Sequence, residues 1–169
     1  VEDDLDDVYL VRSYLSETRG NRFFSADLSV AQDLTHTARL LAEGLPDIIL
    51  TDLGLPDAVG TEAFAAIFEM APNVPIIVLS SNDDDQLALD TIKAGAIDYL
   101  PKGELSPASL TRAIRHGIAR KKTELALQES EKRYRGLIEN SGLGIHLVKA
   151  GRGPSGRGRL FMNDALVHL

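Results

Sequence analysis

The chain contains no cysteine among its 169 residues. Disulfides, thiol nucleophiles and Cys-ligated metals are excluded, and a reducing compartment fits without strain. Long apolar runs are missing too: nothing approaches the ~20 consecutive apolar residues that a membrane helix needs. No secretory leader pattern is visible, so a cytoplasmic protein is expected, with no membrane partner in this segment. Positive charge is in short supply. Lys and Arg number 18 against 25 Asp and Glu, a net charge of -7. That balance argues against nucleic acid as principal partner, because phosphate binding relies on concentrated cations. The basic residues gather late, between Arg112 and Arg135 and again from Arg152 to Arg159.

What is present is globular: 44% hydrophobic and 25% charged residues. The length exceeds one ordinary domain of about 100 to 150 residues without filling two, so one domain and part of another are expected.

The chain is organised around residues 46–57. Ile48, Ile49 and Leu50 form an apolar run without alternation, as in a strand buried on both faces of a parallel sheet. The run stops on Asp52, and Gly54 and Pro56 break it. Open α/β sheets bind ligands beyond the carboxyl ends of their strands, where Asp52 would sit. Alone, this aspartate could equally cap the loop.

Around it the elements alternate. Five acids crowd the first seven residues, then Val8, Leu10, Val11, Tyr14 and Leu15 recur at helical spacing. Those acids have an innocent reading as helix caps and dipole partners. Phe24, Ala26, Leu28 and Val30 alternate as a strand, and Asp33 is placed to cap a helix ending at Gly44. A helix over 61–70 follows the Asp52 strand, with Ala63, Phe64, Ile67 and Phe68 inward. Residues 75–81 read as another doubly buried strand, and the acids 83–85 can cap a helix ended by Gly95. Residues 96–103 give a last short strand. Ser106 and Pro107 are an N-cap followed by proline at the first helical position.

Four strands alternating with helices predict a doubly wound parallel α/β sheet with right-handed crossovers. A fifth, central strand is expected to precede Val1. The last helix should continue to about Glu139, some 45 Å at ~1.5 Å per residue, further than a small sheet can cover. Leu125, Leu127, Tyr134, Leu137 and Ile138 form an imperfect stripe along it. A paired helix and a single solvated linker both fit, since sustained heptads are absent. Residues 144–148 and 160–163 read as a hairpin. The expected divisions are 1–122 for the α/β domain, 123–140 for a helical linker, and 141–169 for the start of a truncated α+β segment.

Such a sheet converges Glu2, Asp3, Asp52, Ser80 and Lys102 on one pocket. Crowded carboxylates repel unless a cation intervenes, and hard oxygen donors suit magnesium. Asp52 is then placed as a nucleophile toward phosphorus, Lys102 as a point charge and Ser80 as a hydroxyl for the phosphoryl oxygens.

In these residues the chain resembles the response-regulator receiver domain of two-component signalling. The resemblance rests on the Glu2-Asp3 pair, Asp52 with Leu55-Pro56 after it, Ser80 ending its strand, Tyr99 and Lys102. It implies a flavodoxin-like sheet of order 2-1-3-4-5 and transfer of a phosphoryl group to Asp52 from a histidine kinase or phosphotransfer protein. It also implies Mg2+ held by Glu2, Asp3, Asp52 and the Gly54 carbonyl, with Ser80 and Tyr99 as the switch pair. Ser80 stands where threonine is usual. Gly103 stands where many receivers have proline, so the Lys102-Gly103 peptide is expected to be trans. Residues 127–141 resemble the helical lead-in of PAS sensor domains, and 161–165 their second strand. Receivers followed by PAS look like the front ends of sensory histidine kinases or cyclic-dinucleotide enzymes. None of His36, His116, His146 and His168 has the context of a phosphodonor. A homodimer through the linker helix is expected. The alternative function is a pseudo-receiver that makes contacts without being phosphorylated.

Overall fold

The computed structural model describes residues 1–17, 26–80, 85–140, 147–148 and 160–161. It divides into two compact units, Val1–Thr123 and Glu124–Leu169.

The core of the first unit is a parallel three-stranded sheet. Strand β1 (Ile49–Asp52) is followed by a two-residue hairpin, β2 (Gly54–Leu55) and β3 (Ala58–Val59). Strand β4 (Ile76–Ser80) lies between β1 and β5 (Asp98–Pro101). All five residues of β4 are buried, which is why its sequence is apolar without alternation. The register pairs Asp52 with Leu79 and Ser80 with Pro101, so β1, β4 and β5 end together.

Helices α1 (Leu5–Glu17), α2 (Leu34–Glu43), α3 (Thr61–Met70), α4 (Asp85–Ala94) and α5 (Pro107–Asn140) complete the order. The core lies in two layers. On one side Phe64 and Ile67 of α3 pack with Ile49, Ile76 and Val78; on the other Val11 and Leu15 of α1 and Leu110 and Ile114 of α5 pack with Ile77 and Leu79. Burying one such side chain contributes roughly 1.5–3 kcal/mol.

Local chemistry sets the helix ends. Asp33 accepts the His36 amide at 2.6 Å, and the Asp57 carboxylate, from the β2–β3 turn, accepts the Leu34 amide at 2.9 Å. Gly95 (φ 117°) closes α4: its amide reaches the Ile92 carbonyl and that of Ala96 reaches Thr91, the pairing of a Schellman motif. Ser106 and Ser109 cap α5 reciprocally, each hydroxyl accepting the other's amide, at 3.1 and 2.9 Å. Further along α5, Gly117 brings the helix backbone close to the sheet: a Cβ there would lie 3.0 Å from Ile97 Cγ2 and 3.2 Å from Ile48 Cδ1. This glycine is a packing position.

The sheet order corrects one expectation. β1, β4 and β5 run in the order foreseen for the third to fifth strands, but residues 26–30 form no strand. Their burial alternates as the pattern required and Leu28 packs against the layer of Ile77 and Leu79, yet the stretch is not part of a strand; just after it the Glu2 amide donates to the Ala31 carbonyl. A groove of about 740 Å³, lined by Leu28 and Val30 as well as Ile48 and Leu50, lies beside β1. A strand needs a partner ladder, and alternation alone does not supply one. Phe24 and the acids 83–84 lie outside the described residues.

In the second unit, β6 (Leu147–Val148) and β7 (Leu160–Phe161) pair antiparallel, with Leu147 opposite Phe161. Leu127, Tyr134 and Leu137 are exposed along the helix. No helix of the described residues is long and apolar enough to cross a membrane.

Candidate functional site

The shared strand ends bring the polar groups together. Asp52 ends β1, Ser80 ends β4, and Lys102 follows β5 in a short 3-10 turn. Val1 joins the same edge: its backbone nitrogen donates to the Leu50 carbonyl, and its carbonyl accepts the Asp52 amide at 3.0 Å. Glu2 is thereby carried beside Asp52.

Lys102 is the centre of the cluster. Its Nζ lies 2.5 Å from Asp7 Oδ2, 2.7 Å from Asp52 Oδ2 and 2.9 Å from Glu2 Oε2. An ammonium has three donors, and here three carboxylates meet them. The other Asp52 oxygen accepts the amides of Leu53 at 2.6 Å and Gly54 at 3.3 Å. Glu2 Oε1 accepts the Asp4 amide at 3.3 Å. The Lys102 side chain is only 10% exposed and that of Asp52 15%, while Asp7, at 30%, is the most open member.

Burial by itself pulls the Lys102 ammonium down, but hydrogen bonds to Asp52, Asp7 and Glu2 outweigh it and hold the group above the usual lysine range. Burial pushes the Glu2 carboxyl up, against the pull of Lys102. With all three acids ionised, three negative charges face one positive charge and the cluster carries an excess of two.

Carboxylate oxygens of Glu2, Asp7 and Asp52 lie within 4.8 Å of one another. Three hard oxygen donors with two uncompensated negative charges are a donor set that suits Mg2+.

The expected residues are distributed as follows. Glu2, Asp52 and Lys102 are in contact. Ser80 is buried at the end of β4, and Tyr99 is half-buried against the core layer of α3. Gly54 adjoins Asp52 through its amide. The Lys102-Gly103 peptide is trans. Asp3 is exposed and lies outside the carboxylate group, whose third member is Asp7. Sequence reasoning counted Asp7 among helix-capping acids. A signal was available: Asp7 precedes the buried Val11 by four residues and so shares the inward face of α1.

The comparisons agree with this geometry. Residues 1–115 match the model of the response regulator receiver domain. An uncharacterised transcriptional regulatory protein, YxjL of Bacillus subtilis, is 33% identical over 113 residues, 65% of this chain and 50% of its own length. The chain therefore spans about half of that relative. Among solved structures, the receiver domain of a sensor histidine kinase from Pseudomonas aeruginosa, with magnesium coordinated in its active-site cleft, is 27% identical with a TM-score of 0.58. The match covers 70% of this chain and 93% of that one. The signal receiver domain of a modulated diguanylate cyclase from Desulfovibrio desulfuricans is also 27% identical, TM-score 0.60, covering 73% and 93%. A parallel sheet that gathers carboxylates and a lysine at its strand ends, with a family match over two-thirds of the sequence, has one reading: this chain belongs to the response regulator receiver domain family.

Proposed function

We propose that this receiver takes a phosphoryl group on Asp52 from a histidine kinase or phosphotransfer protein. The observation that carries the reading is Lys102 Nζ held within 2.9 Å of Asp52, Asp7 and Glu2 at the strand ends. In the transfer an Asp52 carboxylate oxygen forms the new bond to phosphorus. The donor's P–N bond, or the P–O bond of a small acyl phosphate, breaks and its electron pair leaves with the donor. Lys102 counters the charge on the phosphoryl oxygens and Ser80 offers them its hydroxyl. Glu2, Asp52 and a neighbouring acid, with the Gly54 carbonyl, would hold Mg2+, which would neutralise phosphoryl charge when bound. Ser80 and Tyr99 relay the change as a shift between existing conformations.

The parent protein is proposed to be a cytoplasmic sensory histidine kinase or cyclic-dinucleotide enzyme in which α5 leads from the receiver into a PAS domain. Receivers of a histidine kinase and of a diguanylate cyclase among the similar structures support that reading, as does the antiparallel pairing of β6 and β7. The exposed Leu127, Tyr134 and Leu137 suit a parallel homodimer through α5.

The test is labelling by acetyl phosphate. Phosphate on Asp52 only when Mg2+ is present, and none in Asp52→Asn, is the expected result. An unlabelled Asp52 would make the chain a contact module, and full labelling of Asp52→Asn would move the acceptor elsewhere. Light scattering that finds a strict monomer at high concentration, with and without beryllofluoride, removes the dimer.

A further inference from the structure

We propose that Asp7 is a positioning residue for the phosphoryl transfer, sharing Lys102 with Asp52 and so controlling how readily Asp52 is released to react; the inference rests on the phosphoacceptor reading above. Both Asp52 oxygens are engaged in this structure, one by Lys102 at 2.7 Å and one by the Leu53 and Gly54 amides. A carboxylate so engaged is a poor nucleophile until one partner yields. The partner that can yield is Lys102, whose ammonium also has Asp7 at 2.5 Å and Glu2 at 2.9 Å.

Asp7 suits this role better than Glu2. It stands in the first turn of α1, away from the strand ends that carry Asp52 and Lys102, and it is the most exposed of the three carboxylates. Its desolvation is therefore the smallest, and it can keep an ion pair with Lys102 while Asp52 changes partner. Glu2 is instead held at both ends, its own amide donating to the Ala31 carbonyl and its side chain accepting the Asp4 amide. Asp7 also supplies one of the three negative charges that face Lys102, so its removal halves the excess charge available to a divalent cation.

The experiment compares the parent chain with Asp7→Asn, Asp7→Glu and Asp6→Asn, the last removing an exposed charge from the same helix turn. Two quantities are measured: Mg2+ affinity by calorimetry without any phosphodonor, and the rate of acetyl phosphate labelling at saturating Mg2+. For Asp7→Asn we expect Mg2+ binding weaker by about tenfold, the scale for one charge removed within about 5 Å of a divalent ion in a water-like dielectric. Its labelling at saturating Mg2+ should also be slower by about threefold or more, as Lys102 closes on Asp52. Asp7→Glu should recover part of both losses, and Asp6→Asn should stay within about twofold of the parent on each, as a solvated charge does. Asp7→Asn matching Asp6→Asn in both measurements would overturn the proposal. So would a change in melting temperature with binding and rate unmoved, which is the mark of a purely structural role. A parent chain that takes no label would defeat the phosphoacceptor reading and this inference with it, whereas a labelled parent matched by Asp7→Asn in rate and Mg2+ affinity would defeat the inference alone.

Discussion

Replacing Lys102 by methionine removes the cation around which Glu2, Asp7 and Asp52 are arranged. The three carboxylates then face one another with oxygens within 4.8 Å. One pair of charges at that distance repels by ~3.5 kcal/mol at an effective dielectric of about 20, and by about half that at 40. Removing one partner of a fully buried ion pair costs about 3–5 kcal/mol, a figure to be reduced here because Asp7 is partly open to water. A loss of about 2–3 kcal/mol at neutral pH is expected, a shift of roughly 1–2 M in the urea midpoint at an ordinary slope. Its origin fixes its pH dependence. Without Lys102 only the Asp4 amide opposes the upward push that burial gives Glu2, so protonation relieves the repulsion and the deficit should shrink as pH falls. Millimolar Mg2+ should shrink it as well. Urea unfolding followed by circular dichroism, at two pH values with and without Mg2+, is the assay. A deficit that is the same under all four conditions would show that the aliphatic stem of Lys102, and not its charge, supports the fold.

Glu2→Gln should flatten the acid limb of the stability curve. Because burial raises the Glu2 pKa in the folded state, the native protein binds the proton more tightly than the unfolded chain. The cost is absent below the ordinary value of 4.5 and complete above the raised one, so the parent loses stability as pH rises through that window. Urea midpoints against pH for the two proteins check the sign, and a steeper limb in the variant would contradict it. Phe64→Ala should cost about 3–5 kcal/mol by opening a cavity, since Phe64 is fully buried and stacked on Phe68 at 5.7 Å; a melting temperature within a few degrees of the parent would argue that the site collapses. Gly95→Ala should cost about 1–3 kcal/mol, because φ is 117° and the new Cβ would lie 3.2 Å from the Phe68 ring; unchanged thermal stability would mean that α4 ends differently.

Much of the fold was legible because its signals are local. The unalternating run over 76–80 declared a strand buried on both faces, and Asp33 and Ser106 announced helix starts that need only their own side chains and the next few amides. What could not be read depends on partners remote in sequence. Residues 26–30 show a strand's alternation but lack its ladder. The β2–β3 hairpin, four paired residues around Pro56 and Asp57, looked like a plain turn. In the site, strand ends placed Glu2, Asp52 and Lys102 correctly side by side, because the end of a strand is a short-range property. Asp7 was open to a local signal as well, its spacing to Val11 and Leu15 on the inward face of α1, whereas Asp3 precedes the helix and shares no such face.

The Asp57 carboxylate ties two parts of the chain that are far apart in sequence. It lies five residues after Asp52, yet its acceptor oxygens serve the Leu34 amide, a first-turn donor of α2. Any excursion of the 53–60 turn away from α2 strips that donor of its acceptor, and a helix of ten residues has few other bonds with which to hold its first turn. Events beside Asp52 therefore have an outlet at the head of α2. They can be followed as fraying at the head of α2, through faster hydrogen exchange of the Leu34 amide.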